Sequence, residues 1–92
     1  MLRLIIYDIS CPKRLRSIAR VCEDYGLRVQ KSVFECWLEN ERFDRLWQEL
    51  LDQMHLQEDS ICAYSLDASA ASARRGAGNL TNLTEKRSQL IV

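Results

Sequence analysis

The chain has 92 residues, of which 47% are hydrophobic. This length fits one domain, and the apolar fraction is too high for a disordered chain. The 13 basic and 13 acidic side chains cancel, so any affinity for nucleic acid must arise from how the charges are arranged. No stretch approaches the ~20 apolar residues that span a bilayer, and the opening apolar run is too short for a signal peptide, so we expect no membrane partner.

The first predicted elements are a strand and a helix. Residues 2–9 are apolar on both faces apart from one arginine and Asp8, which is typical of a central strand that is covered at least partly on both sides. Ser10 or the next residue is expected to cap a helix, because Pro12 fits a first helical turn. The apolar stripe of this helix runs to about Tyr25 and predicts its end there.

Residues 27–38 are predicted to be extended, but their apolar alternation changes parity between Gln30 and Val33. Gly26, just before this segment, is the expected stop of the preceding helix. A tight turn or a bulge near residues 31–32 accounts for the change of parity. The segment is therefore predicted to form two strands.

Asn40 is expected to cap a second amphipathic helix that ends near His55, and residues 60–66 predict a short strand. The resulting order, β-α-β-β-α-β, predicts a ferredoxin-like α+β core over residues 1–66, with an antiparallel sheet and both helices on one of its faces. The other face would stay uncovered. A second copy packed sheet against sheet is the simplest cover, so we expect a homodimer.

The remaining residues differ in composition from the core. Residues 67–87 begin with an Ala-Ser-Arg-Gly-rich stretch without an apolar period, which predicts a linker. Residues 88–92 predict a short apolar C-terminal strand. Such a strand would be a liability if exposed, so we expect it to dock on a sheet edge of the dimer partner.

The cysteines predict a reducing compartment. Cys11, Cys22, Cys36 and Cys62 contain no C-x-x-C pair, and His55 is not near any of them in the sequence. A zinc site would need closer ligand spacing. We therefore expect reduced, mostly buried thiols and a cytoplasmic location.

Asp8 is the candidate centre of any chemistry, because it ends an apolar strand just before a helix, where a carboxylate is rigidly held. Mg²⁺ takes oxygen ligands and keeps several waters. One carboxylate makes a poor site, but two Asp8 side chains joined by a dimer axis predict a magnesium site. The structural alternative is that Asp8 caps the helix or forms a salt bridge with a nearby arginine.

Basic side chains follow Asp8 and predict phosphate binding, which a helix start favours through its dipole. The alternative is a solvated basic face. The helix contributes Lys13, Arg14, Arg16 and Arg20, and the second strand adds Arg28 and Lys31. The aromatic run that RNA-recognition domains display on their sheet is absent from the sequence.

Three segments of residues 1–66 together resemble the CRISPR-associated Cas2 family: Y-D-I-S at 7–10 followed by Lys13-Arg14, Y-G-L-R-V-Q-K-S-V-F-E at 25–35, and E-D-S-I at 58–61 with Y-S-L at 64–66. The resemblance implies a ferredoxin-like homodimer of prokaryotic adaptive immunity that partners the CRISPR integrase during spacer acquisition. It also implies a magnesium-dependent endonuclease that cleaves RNA or DNA.

The resemblance further assigns roles to individual positions. The family's metal aspartate falls on Asp8, and its neighbouring tyrosine and serine fall on Tyr7 and Ser10, so these three are the expected catalytic residues. Its second-strand arginine and phenylalanine fall on Arg28 and Phe34, and its basic pair falls on Lys13 and Arg14. The full set of expected nucleic-acid contacts is Lys13, Arg14, Arg16, Arg28 and Lys31.

Three functions remain open from the sequence. The first is a metal-dependent phosphodiesterase centred on Asp8. The second is a non-catalytic dimeric scaffold that bridges the integrase and binds DNA along its basic surface. A more distant third is a toxin-type ribonuclease of related fold.

Overall fold

The computed structural model describes residues 1–80, which form an α+β fold. Its four strands are β1 (Leu2–Asp8), β2 (Leu27–Gln30), β3 (Val33–Trp37) and β4 (Ser60–Leu66). Its three helices are α1 (Pro12–Glu23), α2 (Asn40–Gln53) and α3 (Ala68–Ser72). The sheet has the order β2-β3-β1-β4 and every pair is antiparallel. The predicted α+β class and element order are confirmed.

The hydrophobic core lies between one sheet face and helices α1 and α2. Ile5 on β1 and Phe34 on β3 are direct cross-strand partners, and both are fully buried with Ile18 from α1 and Leu46 from α2. Burial of each such side chain contributes about 1.5–3 kcal/mol. In the described part of the chain, no helix is both long and apolar enough to cross a membrane.

The predicted break in the second extended segment is confirmed. The chain turns at Lys31 and Ser32, and the pairing of β2 with β3 shifts register between Arg28 and Gln30. An extra residue on one strand reverses which face the following side chains occupy. The change of parity itself follows from the two-residue turn, which pairs Gln30 with Val33 and so lets Val29 and Phe34 both be buried.

Gly26 follows α1 for a steric reason. A Cβ atom at this position would collide with the carbonyl oxygen of Glu35 and with the Cys36 sulfur. Among the described glycines, only Gly78 has a positive φ, of 80°. The glycine therefore serves close packing of α1's end against β3 rather than the left-handed helix stop that the sequence suggested.

The side chains predicted at the two helix starts do not cap their helices through hydrogen bonds. The N-cap residues are Cys11 for α1 and Glu39 for α2, and neither forms a side-chain cap within residues 1–80. Asn40 instead accepts a hydrogen bond through Oδ1 from Arg3 Nη2 at 2.8 Å. Cys11 is thus one of the two residues predicted at the start of α1, although its side chain makes no cap hydrogen bond. The prediction for Asn40 was wrong because Arg3 competes for its side chain.

The other sheet face is apolar and partly covered by the chain that follows β4. Trp37 and Tyr64 on this face are 51% and 56% exposed. Arg74 crosses to this face, where it forms an ion pair with Glu35 at 2.5 Å and lies over the Trp37 ring. The uncovered remainder is the surface that the sequence assigned to a second copy.

Helix α3 lies inside the segment that was predicted to be a linker. The Asp67 side chain caps it by accepting a hydrogen bond from the Ala70 N–H at 2.8 Å. Its Ala and Ser residues give no apolar period, so this helix was missed. The C-terminal strand predicted over residues 88–92 lies outside the described residues.

Candidate nucleic-acid site at the end of the first strand

Asp8 lies exposed at the last position of β1, opposite Ser60 on β4. Its chain neighbours Tyr7 and Ile9 are 4% and 8% exposed, so the alternation of the strand directs Asp8 to the opposite side, toward solvent. Within residues 1–80 its carboxylate forms no salt bridge, and the N-cap position of α1 is Cys11 rather than Asp8. The structural alternative for Asp8 is therefore not observed in the described chain.

A cleft of about 390 Å³ opens beside Asp8. It is bounded by the end of β1, by one face of α1 and by the turn between β2 and β3. Its wall is apolar at Ile9, Leu15 and Ala19, and cationic at Arg16, Arg28 and Lys31. Ligand sites in proteins combine an apolar lining with a few placed polar groups in this range of volumes. The structure thus brings these three predicted nucleic-acid contacts together with Tyr7 and Asp8.

Tyr7 forms part of the cleft wall. Its ring stacks on Phe34 with a centroid distance of 6.3 Å, and burial raises the pKa of its hydroxyl, so the phenol stays protonated at neutral pH. Within residues 1–80 this buried hydroxyl makes no hydrogen bond. A buried hydroxyl without a partner is unfavourable, and a ligand oxygen at the cleft wall would supply the missing acceptor.

Arg28 is held at the cationic side of the cleft by contacts around its guanidinium. Nη1 donates to the Lys31 carbonyl at 3.0 Å, and Nη2 lies 3.8 Å from a Glu23 oxygen. The guanidinium carbon lies 5.1 Å from the centre of the Phe34 ring, a cation–π contact. The predicted arginine and phenylalanine therefore touch each other, with the phenylalanine in the core and the arginine at the cleft.

Ser10 and Arg14 both bind Asp59, a carboxylate whose side chain is 0% exposed. Asp59 Oδ1 accepts from the Ser10 N–H at 3.1 Å, the Ser10 hydroxyl at 3.3 Å and Arg14 Nη2 at 3.2 Å. Oδ2 accepts from Arg14 Nε at 2.8 Å and from the His55 N–H at 2.9 Å. The hydrogen bond from Arg14, followed by those from the two backbone N–H groups, holds the pKa of Asp59 far below its ordinary value.

Arg14 is also bound by Glu58, whose Oε1 lies 3.0 Å from Nη2 and whose side chain is 57% exposed. The hydrogen bonds to the two carboxylates raise the pKa of Arg14. Its guanidinium is thus occupied inside the fold and does not line the cleft. Lys13 is exposed in the first turn of α1 and does not line the cleft either.

Asp59 is the residue that reasoning from the pattern missed. It lies between α2 and β4, in a polar link for which the sequence predicted no role beyond the family resemblance of residues 58–61. A usable signal existed: the acidic pair Glu58-Asp59 directly precedes the strand whose first residue pairs with Asp8, opposite an arginine-rich helix start. Such a pair is well placed to meet Arg14.

A single chain supplies few metal ligands here. Over residues 1–80 no group of three or more His, Cys, Asp or Glu side chains is arranged to hold a metal ion. Asp8 nevertheless has the ligand chemistry of a magnesium site, because Mg²⁺ is usually held by one or two carboxylates and completes its octahedron with water. The donor set fits magnesium if a second copy contributes another carboxylate.

Comparison with known proteins identifies relatives over most of the chain. The family model described as CRISPR associated protein Cas2 matches residues 1–74. A CRISPR-associated endoribonuclease Cas2 of Moorella thermoacetica is 46% identical over 68 residues, which covers 68% of this chain and 71% of the relative. A CRISPR-associated endonuclease Cas2 of Halalkalibacterium halodurans is 41% identical over 71 residues, which covers 72% of this chain and 74% of the relative.

Solved structures share the fold as well. The crystal structure of Streptococcus pyogenes Cas2 at pH 6.5 is 36% identical with a TM-score of 0.76, and the match covers 85% of this chain and 100% of that one. A hypothetical protein from Thermus thermophilus is 31% identical with a TM-score of 0.70, over 73% of this chain and 82% of that one. The likeness in fold therefore extends over most of the described chain.

Proposed function

Because this chain belongs to the CRISPR-associated Cas2 family, we propose that it is a magnesium-dependent endonuclease that hydrolyses phosphodiester bonds at the end of β1. The observation that carries this function is the exposed carboxylate of Asp8 at the mouth of a cleft with cationic walls. Relatives are named endoribonuclease in one organism and endonuclease in another, so RNA and DNA are both candidate substrates.

Different residues of the cleft bind the phosphates, the strand oxygen and the metal. Arg16, Arg28 and Lys31 hold the phosphates of the strand, which guanidinium and ammonium groups do through charge-assisted hydrogen bonds. The protonated hydroxyl of Tyr7 donates to an oxygen of the bound strand. Asp8 holds the metal, which when bound supplies positive charge at the scissile phosphate and a water of lowered pKa.

A homodimer completes this site. The apolar sheet face with exposed Trp37 and Tyr64 provides a surface for a second copy, and a two-fold axis gives both chains the same contacts. Two Asp8 carboxylates near that axis would share one Mg²⁺. We place this dimer in the cytoplasm beside the CRISPR integrase, in the acquisition of new spacers.

The second candidate function is a non-catalytic scaffold that bridges the integrase and binds DNA. It is favoured by the single carboxylate that each chain offers and by the absence of a histidine among the residues lining the cleft. His55 is exposed, its Nδ1 accepts from the Gln57 N–H, and it does not line the cleft.

Cleavage assays with Asp8→Asn separate the two functions. Purified protein is incubated with single-stranded RNA and double-stranded DNA, with Mg²⁺ or with a chelator. We expect Asp8→Asn to lose about 100-fold or more in rate, the scale of removing one group that stabilises the transition state. Asp52→Asn, an exposed carboxylate at the end of α2, is the matched control.

Equal cleavage by wild type and Asp8→Asn would identify a contaminating nuclease and refute the catalytic function. If Asp8→Asn abolishes cleavage but cells that carry it acquire spacers at the normal rate, the cellular role is the scaffold. Sedimentation of the purified protein checks the dimer: a strict monomer, with or without nucleic acid, contradicts the shared metal site.

A further inference from the structure

Asp59 is the most completely bonded side chain near the cleft, although it does not line it. Its carboxylate is fully buried, and it accepts five hydrogen bonds, from Ser10, Arg14 and His55. These donors belong to the turn after β1, to α1 and to the link between α2 and β4. One carboxylate therefore joins three separate parts of the chain.

These contacts flank Asp8 on two sides. Along the chain, Ser10 is tied to Asp59 through both its N–H and its hydroxyl. Across the sheet, Asp59 directly precedes Ser60, the residue that pairs with Asp8. The backbone on either side of the Asp8 carboxylate is thus fixed by a single buried anion.

We infer that Asp59 is the positioning residue of this site: through Ser10 it fixes the direction in which Asp8 meets its ligand. The same contacts assign Arg14 and Ser10 to supporting this geometry rather than to contacting the nucleic acid. This role rests on the proposed function, because it presumes that Asp8 binds the metal. It goes beyond that function in naming a residue that touches neither metal nor substrate.

The chemistry of Asp59→Asn explains why the site would loosen. The amide keeps the size of the side chain but has only one acceptor oxygen, which the shorter hydrogen bonds from Arg14 Nε and the His55 N–H favour at the position of Oδ2. Its NH₂ group then replaces Oδ1 and faces two other donors, the Ser10 N–H and Arg14 Nη2, so the backbone at Ser10 loses its acceptor. Glu58→Gln is the matched control, because it removes a carboxylate from the same Arg14 at an exposed position and leaves Ser10 untouched.

Two measurements on the full-length protein test this role. In the first, Mn²⁺ is added stepwise and the paramagnetic broadening of backbone amide signals at residues 8–11 gives the metal affinity, with Asp8→Asn as the reference for a lost site. We expect Asp59→Asn to bind Mn²⁺ about 10–100-fold more weakly, the typical effect of removing a partner that orients a ligand. Glu58→Gln should match wild type.

The same variants are then assayed for cleavage over a range of Mg²⁺ concentrations. For Asp59→Asn the Mg²⁺ concentration of half-maximal activity should rise by the same factor, with most of the maximal rate recovered at saturating Mg²⁺. A merely structural defect would lower the cleavage rate by the same factor at every Mg²⁺ concentration. Unchanged Mn²⁺ affinity in Asp59→Asn, or equal losses in Glu58→Gln, would overturn the assignment.

Amide hydrogen exchange distinguishes a failure of the proposed nuclease function from a failure of the positioning role of Asp59. If wild type neither binds Mn²⁺ at residues 8–11 nor cleaves, the nuclease function is refuted. The exchange rate of the Ser10 amide then tests separately whether Asp59 positions the turn after β1. About tenfold faster exchange in Asp59→Asn than in Glu58→Gln, as expected for easier local opening, supports the positioning of the turn. Equal exchange in both variants refutes it.

Discussion

The buried carboxylate of Asp59 binds two groups, the Arg14 guanidinium at the start of α1 and the Ser10 N–H next to Asp8. Arg14 was visible as a member of a basic helix start, and a phosphate contact was the expected role. Its actual partner lies 45 residues further along the chain, and no local period connects the two. Long-range side-chain pairing of this kind follows from the fold and cannot be inferred from the helix alone.

Acid should weaken the fold through Asp59. Its pKa is lowered on folding from an ordinary value of 3.8, so its contribution to stability is present above that value and is lost as pH falls further. We expect thermal melts of wild type to fall more steeply below about pH 4 than those of Asp59→Asn. Glu58→Gln should follow wild type, and parallel curves for wild type and Asp59→Asn would contradict the prediction.

Arg16 and Arg20 offer a matched comparison on one helix. Both are exposed on α1, but only Arg16 lines the cleft. We expect Arg16→Gln to weaken binding to a labelled single-stranded RNA in the presence of a chelator and to reduce the slope of log K against log salt by about 0.7. Fluorescence anisotropy measures both quantities. Equal slopes for Arg16→Gln and Arg20→Gln would remove Arg16 from the interface.

The candidate site itself was partly predictable at this scale. Asp8 and Lys31 follow apolar strand segments, and Arg16 and Arg28 lie on the neighbouring elements α1 and β2, so their convergence follows once the strand order is known. The positions of Ser10 and Arg14 were not predictable, because each had two chemically reasonable partners.

Elements with a strong apolar period were predicted well. The strand β4 (Ser60–Leu66) has the predicted bounds, and α1 and α2 end within two residues of their predicted ends. Helix α3 was missed because five residues of Ala and Ser carry no stripe, and its formation depends on capping by Asp67 and packing of Ala71, which is 1% exposed. Short elements depend on tertiary contacts more than on their own pattern.

A substitution at Gly26 tests how tightly the end of α1 packs against β3. Gly26→Ala forces the new methyl group onto the backbone of Glu35 and the sulfur of Cys36, and overpacking of this kind costs about 1–3 kcal/mol. Urea unfolding measures the loss. Gly78→Ala is the control, because a Cβ atom at this position meets open space. The positive φ of this residue should cost only about 1 kcal/mol of stability. Stability equal to wild type in Gly26→Ala would show that the two elements are less tightly joined.

On the scale of the whole molecule, the two sheet faces differ in how completely they are covered. One face is sealed by α1 and α2, whereas the other keeps large apolar side chains such as Trp37 and Tyr64 in solvent. The apolar residues on both faces of β1 predicted an apolar second face from the sequence. It did not predict that Arg74 would cross this face and pair with Glu35, because nothing near Arg74 indicates a strand partner.

The unequal burial of the four thiols gives this protein chemical reporters of the proposed homodimer. Burial raises the pKa of Cys22 to about 12 and that of Cys36 to about 11, so neither should react with a maleimide in the native state. Cys62 is exposed and pairs with Ile6 on the partly covered face. Its alkylation rate, followed by mass spectrometry, should fall as protein concentration rises through the dissociation constant of the proposed dimer. The unmodified wild-type chain is therefore already a chemical footprinting probe, and a rate independent of dilution would show that no second copy shields that thiol.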